Sequence, residues 1–238
     1  ILALNIIKKK SRNIIIISER NNNPLYLLSK RMKLFHIEHK NYIGGRYSVL
    51  SEVGIVPAYL MGLNIIKLRK NLFKYILLKY KYFLKESLQI LSNLFKKGKL
   101  NTIVFLNYEP RLQKFLLWTQ QLVAESLGKN SKGFLPFISP APRDHHSLLQ
   151  LYLDGPKDKL FYIFSSEIDN KIKIKSKIMG KEVNFLNNKS LNKIKKAQKN
   201  ALLKILKQKK IPFREVKIKK INEETLGELF SYFILETA

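Results

Sequence analysis

Three short runs in this chain are apolar at consecutive rather than alternate positions: residues 13–18, with four isoleucines at the centre, 102–107 (TIVFLN) and 160–165 (LFYIFS). A strand that is apolar at every position has to bury both faces, and sheets covered on both faces are parallel sheets with helices above and below. Between the runs lie stretches whose apolar residues recur at helical spacing. The turn NNNP (21–24) precedes a predicted helix over 25–35, and the lysine-rich stretch 60–99 predicts helices ending near Gly98. A long helix is predicted over 109–127, with Pro110 in its first turn and Gly128 just past its end. A Pro- and Gly-rich loop (128–145), a helix over 147–153, a helix over 190–210 and a strand over 213–218 follow. A last helix runs from Asn222, with Glu223 and Glu224 favourably placed in its first turn. Residues 1–10 read as the tail of a further helix. The alternation of strand and helix predicts an α/β fold with parallel sheets flanked by helices.

Composition removes several function classes. The chain has no cysteine, which excludes a disulfide framework, a zinc–thiolate site, an iron–sulfur cluster and a thiol nucleophile. No apolar stretch approaches the roughly 18 residues of a membrane span, because lysines interrupt every one. A net charge of +28 raises the question of nucleic acid, but the lysines are scattered singly among Ile, Leu and Asn, and no recognition-helix, RNA-binding or zinc-finger pattern accompanies them. The charge therefore reads as a solvated surface, with neither nucleic acid nor membrane as partner.

On the helix 110–127, Leu112, Phe115, Leu116, Thr119, Leu122 and Val123 fall on one face, and Gln121 and Glu125 are neighbours on the other. Glu125 lies in the last turn, where the helix dipole opposes a carboxylate, and Trp118 is on its side. That placement suits a general base, and it equally suits a surface Glu at a fraying end. Gly44, Gly45 and Arg46 form a second candidate, because paired glycines let backbone approach a ligand and the guanidinium can serve an anionic oxygen. His145 and His146 form a third, of which at most one faces a ligand. His36, Glu38 and His39 lack a further metal ligand at suitable spacing and read as surface residues. Parallel sheets bind ligands beyond the carboxyl ends of their strands, which directs attention to the loops 41–54 and 128–146.

At these positions a resemblance enters. The segments NYIGGRYSVLSEVG (41–54), WTQQLVAESLGKNSKG (118–133) and PRDHHSLLQLYLDGP (142–156) resemble, in order, the signatures of the glucose-6-phosphate isomerase family in its bacterial form. The likeness is weaker in the lysine-rich stretches 64–100 and 166–222. It implies two sugar-isomerase (SIS) lobes: residues 1–60 would be the end of the first, 61–100 a helical connection, and 101–238 most of the second.

The family is an intramolecular oxidoreductase that interconverts glucose 6-phosphate and fructose 6-phosphate through a cis-enediol, without metal or organic cofactor. Residue by residue, the resemblance makes Glu125 the acid–base carboxylate, Arg46 the partner of the enediolate oxygen, and Gln121 and Gly45 substrate contacts. His146 becomes the ring-opening histidine, supplied across a homodimer interface. A cytoplasmic enzyme of glycolysis and gluconeogenesis is implied, with a sugar-phosphate-binding protein that performs no turnover as the alternative. The family commonly has Gln where this chain has His145. Its phosphate-binding loop would precede Ile1 and its C-terminal catalytic lysine would follow Ala238. The sequence therefore reads as an internal piece of a longer protein, and the 238 residues alone are expected to be inactive.

Overall fold

A computed structural model of the chain describes residues 13–96, 100–167, 172–175 and 181–238. The expected helix tail at 1–10 and the helix end at Gly98 lie outside them. The first unit is parallel: β1 (Ile15–Ser18), α1 (Pro24–Arg31) and β2 (Phe35–Glu38), with Ile16 opposite His36. Asn23 caps α1 by accepting from the Tyr26 amide, Pro24 opens it, and Lys30 and Arg31 complement its end. The helix expected to run to residue 35 therefore stops at Arg31. Lys33 takes a left-handed φ of 52°, and the four residues of β2 pair with β1. Helical spacing in LYLLSKRMKLF concealed a strand too short to show a period of its own.

A 3₁₀ segment, Gly45–Leu50, follows and leads into α2 (Glu52–Leu60), α3 (Ile65–Arg69) and α4 (Leu78–Lys96). Ser51 caps α2 through the Val53 amide, and Asn64 caps α3 through the Lys67 amide. Two of these contacts admit only glycine. A Cβ on Gly54 would lie 2.0 Å from the Val49 carbonyl oxygen, and one on Gly227 would lie 1.8 Å from that of Leu68, so Gly227 lets α3 pack close against the last helix.

The second sheet has the order β4-β3-β5-β6 and is parallel throughout: β3 (Thr102–Asn107), β4 (Leu135–Pro140), β5 (Lys159–Ser166) and β6 (Phe213–Ile218). Helices α5 (Gln113–Leu127), α6 (Arg143–Ser147), α7 (Leu149–Asp154), α8 (Leu191–Gln208) and α9 (Glu223–Thr237) connect and cover it. The unbroken apolar runs resolve into two faces with period two. Phe105, Tyr162 and Phe164 pack with Phe115, Leu116 and Phe233 of α5 and α9. Val104, Leu106, Phe161 and Ile163 pack on the other side with Tyr152, Leu202 and Leu206 of α7 and α8. Phe105, Leu106, Ile163 and Phe164 are fully buried, as central strands of a doubly covered sheet require.

The stretch expected to be a loop at 128–145 contains β4. Its Pro136 and Pro140 argue against a central strand, and the sheet accommodates them at its edge, where one side of the backbone needs no ladder partner.

Beyond β3, Glu109 is buried and accepts two bonds from the Arg111 guanidinium (Nε 2.8 Å, Nη2 3.0 Å) and one from the Ser166 hydroxyl. Burial pushes this carboxyl upward, but the Arg111 and Ser166 hydrogen bonds and the Arg111 charge outweigh it and hold it near 2, against an ordinary 4.5. A depressed folded value means that the stabilisation is present above about pH 4.5 and is lost as pH falls toward about 2. The melting temperature of Glu109→Gln is therefore expected to fall less steeply than that of the parent across that interval.

Candidate active site

The route of the chain decides which residues can meet. β2 delivers the segment 39–51 at its carboxyl end, and His39 brackets that segment: Nδ1 lies 2.5 Å from Glu52 Oε1 and Nε2 lies 3.1 Å from the Ile43 carbonyl. His36 sits in β2 with Nε2 3.1 Å from the Ser18 hydroxyl. Both histidines are half-buried and each ring has a partner, and they lie on a strand and the segment after it rather than on one helix face. Among the described residues no group of three His, Asp or Glu side chains is placed to hold a metal ion.

In the second sheet, α5 leaves the carboxyl end of β3 and returns the chain to the amino end of the parallel β4. Gln120 Nε2 accordingly donates to the Pro136 carbonyl (2.8 Å), near the start of β4. The C-terminal end of α5, with Gln121 and Glu125, therefore meets the loop after β2. Phe115, Leu116, Thr119, Leu122 and Val123 are buried, as their spacing predicts, while Gln121 and Glu125 are exposed. Gln121 Nε2 donates to Glu125 Oε1 at 2.8 Å, and Arg46 Nη1 lies 3.6 Å from Glu125 Oε2. Glu125 is 49% exposed and Arg46 20%. A carboxylate, an amide and a guanidinium thus share one accessible surface.

Arg46 is held from several sides. Its Nε donates to Ser126 Oγ (2.8 Å), its carbonyl accepts from Trp118 Nε1 (2.9 Å), and its guanidinium lies over the Tyr47 ring at 4.7 Å. Tyr47 Oη is 2.8 Å from the same Ser126 hydroxyl. Burial pushes the Tyr47 phenol up, but hydrogen bonds with Ser126 and Arg46 and the Arg46 charge outweigh it and leave the phenol below its ordinary value. Sequence reasoning does not single out Ser126 or Tyr47. Their only signal is adjacency, each being the residue after a candidate. A Cβ on Gly44 would make only ordinary contacts, and one on Gly45 would meet nothing within 4 Å, so packing within the chain does not require glycine at either position.

His145 and His146 lie elsewhere. They belong to α6, beyond the carboxyl end of β4, whereas Glu125 is at the amino end of the same sheet. At about 1.5 Å per residue, the fifteen residues of α5 put roughly 22 Å between those edges. Of the stretch 128–146, only the part beyond β4, which carries the two histidines, is therefore separated from the 41–54 loop within one chain, whereas its start at Gly128 directly follows the helix end that carries Glu125. The two histidines also differ: His145 is part-buried with Nε2 2.7 Å from Tyr108 Oη, and burial, against the opposing Asp144 charge, pulls its imidazole below the ordinary value. His146 is exposed.

Parallel sheets between helices, with a half-exposed carboxylate facing an anchored arginine, define an α/β protein with an accessible pair of opposite charges at one sheet edge. No family model matches the chain. The chain is 32% identical over 244 residues to a probable glucose-6-phosphate isomerase of Methanococcus maripaludis, covering 100% of this chain and 55% of that protein. It is 30% identical over 279 residues to the glucose-6-phosphate isomerase of Methanocaldococcus jannaschii, covering 98% of this chain and 67% of that one. Its fold matches that of a hypothetical protein from Thermus thermophilus, with a TM-score of 0.85 at 24% identity, over 99% of this chain and 59% of the other. A glucose-6-phosphate isomerase from Chlamydia trachomatis matches with a TM-score of 0.69 at 15% identity, over 99% and 50%. The chain belongs to the glucose-6-phosphate isomerase family. It spans about half the length of several curated relatives, including those of Methanococcus maripaludis and Mycoplasmopsis synoviae.

Proposed function

We propose that this chain contributes the acid–base machinery of a glucose-6-phosphate isomerase. The observation that carries the reading is the meeting of Arg46 and Glu125, from segments about 80 residues apart, at 3.6 Å on an accessible surface beside Gln121. In the proposed reaction the Glu125 carboxylate takes the proton from C2 of open-chain glucose 6-phosphate. The released electron pair forms the C1–C2 double bond, and the charge moves to the former carbonyl oxygen. Arg46 faces that oxygen, where a fixed cation is most effective. One proton then moves from the C2 hydroxyl to O1, Glu125 returns its proton to C1, and C2 becomes the carbonyl of fructose 6-phosphate. Gln121 holds a substrate hydroxyl, and Gly45 lets the ligand approach the backbone.

His146 performs ring opening from a second copy of the chain in a homodimer. Its position at the far edge of the sheet from Glu125 supports that assignment, because one chain cannot bring both to one sugar. The domain division is that of two SIS lobes, with residues 1–60 in the first, 61–100 connecting and 101–238 in the second. The place of action is the cytoplasm; no described helix is long and apolar enough to cross a membrane.

Subunit mixing tests this reading in the longest reading frame that contains the chain. Glu125→Gln and His146→Ala homodimers are each expected to be strongly impaired in converting fructose 6-phosphate. After co-refolding, half the dimers are mixed, and each mixed dimer has one site with both native residues. About a quarter of the parent activity is therefore expected to return, as the two-fold geometry dictates. Failure of the mixture to exceed the homodimers would contradict the assignment of His146 across the interface.

A further inference from the structure

We propose that Ser126 is a positioning residue for Arg46. The inference deepens the isomerase reading and rests on it.

A guanidinium can present either the edge that includes Nε or the edge formed by its two terminal nitrogens. Ser126 Oγ occupies Nε at 2.8 Å, so Arg46 is left with its terminal edge for an anionic oxygen. The serine is itself fixed. It is the residue after Glu125 on α5, and its hydroxyl is also 2.8 Å from Tyr47 Oη, whose ring lies under the guanidinium at 4.7 Å. The Arg46 backbone is held in the same clamp by the Trp118 indole at 2.9 Å. The arginine is thus fixed by its main chain, its face and its Nε, and only the terminal nitrogens remain to meet a ligand.

The same clamp sets the spacing between acid–base group and cation. Arg46 Nη1 stands 3.6 Å from Glu125 Oε2, beyond hydrogen-bond length, whereas Arg111 grips Glu109 in a two-bond fork at 2.8 and 3.0 Å. A fork of that kind on Glu125 would engage both carboxylate oxygens and tie up Nε and one terminal nitrogen, leaving the base occupied and a single terminal nitrogen for a substrate. Release of Nε from Ser126 frees the guanidinium to turn into that arrangement. Because Ser126 and Glu125 are consecutive on one helix end, the carboxylate and the anchor of its partner cation move as a unit.

The test compares Ser126→Ala, Arg46→Lys and the double variant in the longest reading frame that contains the chain, with fructose 6-phosphate as substrate. Ser126→Ala is expected to lower kcat about tenfold with KM within about twofold, the signature of lost orientation rather than lost binding. In the Ser126→Ala background, Arg46→Lys is expected to cost much less than in the parent, because the orientation is already lost. Unchanged kinetics in Ser126→Ala would overturn the proposal, and so would losses that simply multiply.

A second readout separates this proposal from the isomerase reading. Trp118 is the sole tryptophan of the 238 residues. Its indole bonds to the Arg46 carbonyl, so acrylamide quenching of the part of the emission that Trp118→Phe removes is expected to rise in Ser126→Ala, where loss of the Nε anchor loosens the residue whose carbonyl holds the indole. A folded parent without isomerase activity would sink the functional reading. In that event, increased quenching would still support the clamp, and unchanged quenching would overturn it.

Discussion

Glu125→Gln is expected to lower the turnover of fructose 6-phosphate by about 10²- to 10⁴-fold, the range a positioned general base contributes. The amide is nearly isosteric and retains a partner for Gln121, so it removes the capacity to take a proton while leaving the shape of the site. The side chain is 49% exposed and belongs to no core cluster, which predicts an unchanged melting temperature. Loss in kcat with KM nearly constant would locate the effect in the transition state rather than in substrate binding. A comparable fall in the melting temperature would instead show that the carboxylate serves the fold. Far-ultraviolet circular dichroism beside the coupled assay distinguishes the two.

The largest effect on stability is expected from Arg214→Met. Arg214 projects from β6 into a cluster beneath α9, where its Nη1 pairs with Glu236 and reaches the hydroxyls of Tyr232 (3.0 Å) and Tyr162 (3.3 Å). Those tyrosines also bond the Glu236 carboxylate, at 2.9 and 3.2 Å, and Ser87 of α4 contacts the Tyr232 hydroxyl at 2.9 Å. Glu236 is only 6% exposed, so removal of the cation leaves a buried carboxylate among hydroxyls that cannot neutralise it. Breaking a buried pair from one side costs about 3–5 kcal/mol, a large share of the stability of an ordinary domain. A lowered urea midpoint would report this. The paired Arg214→Met, Glu236→Leu variant, which removes both charges, is expected to recover part of the loss. Equal stability of single variant and parent would show that the cluster is solvated and the pair dispensable.

Two of the strands legible in the sequence are buried on two faces, whereas the edge strand β6 is only partly buried and β1, expected to be fully buried, leaves Ile15 40% exposed. TIVFLN and LFYIFS are apolar throughout because helices cover both sides, and the strand predicted over residues 213–218 has the same bounds in the structure. β4 is not legible. Its sequence, LPFISP, carries two prolines, and only a position at the sheet edge makes them acceptable. β2 is hidden for a different reason: four residues, FHIE, directly follow a run with helical spacing.

Lysines show the same limit. Lys199 is buried and bonds Glu215 and Ser165, although it sits in a helix crowded with solvated lysines. Its spacing to the buried Leu202 and Leu206 marks the face, but charge patterning by itself favours the surface.

The site divides along the same line. Gln121 and Glu125 are recognisable as helical neighbours because a four-residue spacing is local. The approach of Arg46 depends on two sheets and the return of α5, which no periodicity encodes. Only the family resemblance brings the two segments together without the fold. The separation of His146 from Glu125 also comes from topology, since strand order and helix direction place them at opposite edges.

Proton transfer by Glu125 is most directly measured in deuterium oxide. Fructose 6-phosphate is incubated with the longest reading frame that contains the chain, and the glucose 6-phosphate formed is examined by nuclear magnetic resonance. The account predicts solvent-derived deuterium at C2 of the product and its loss, together with conversion, in Glu125→Gln. A folded parent that neither labels nor converts the substrate, or a Glu125→Gln variant that labels at the parent rate, would contradict it.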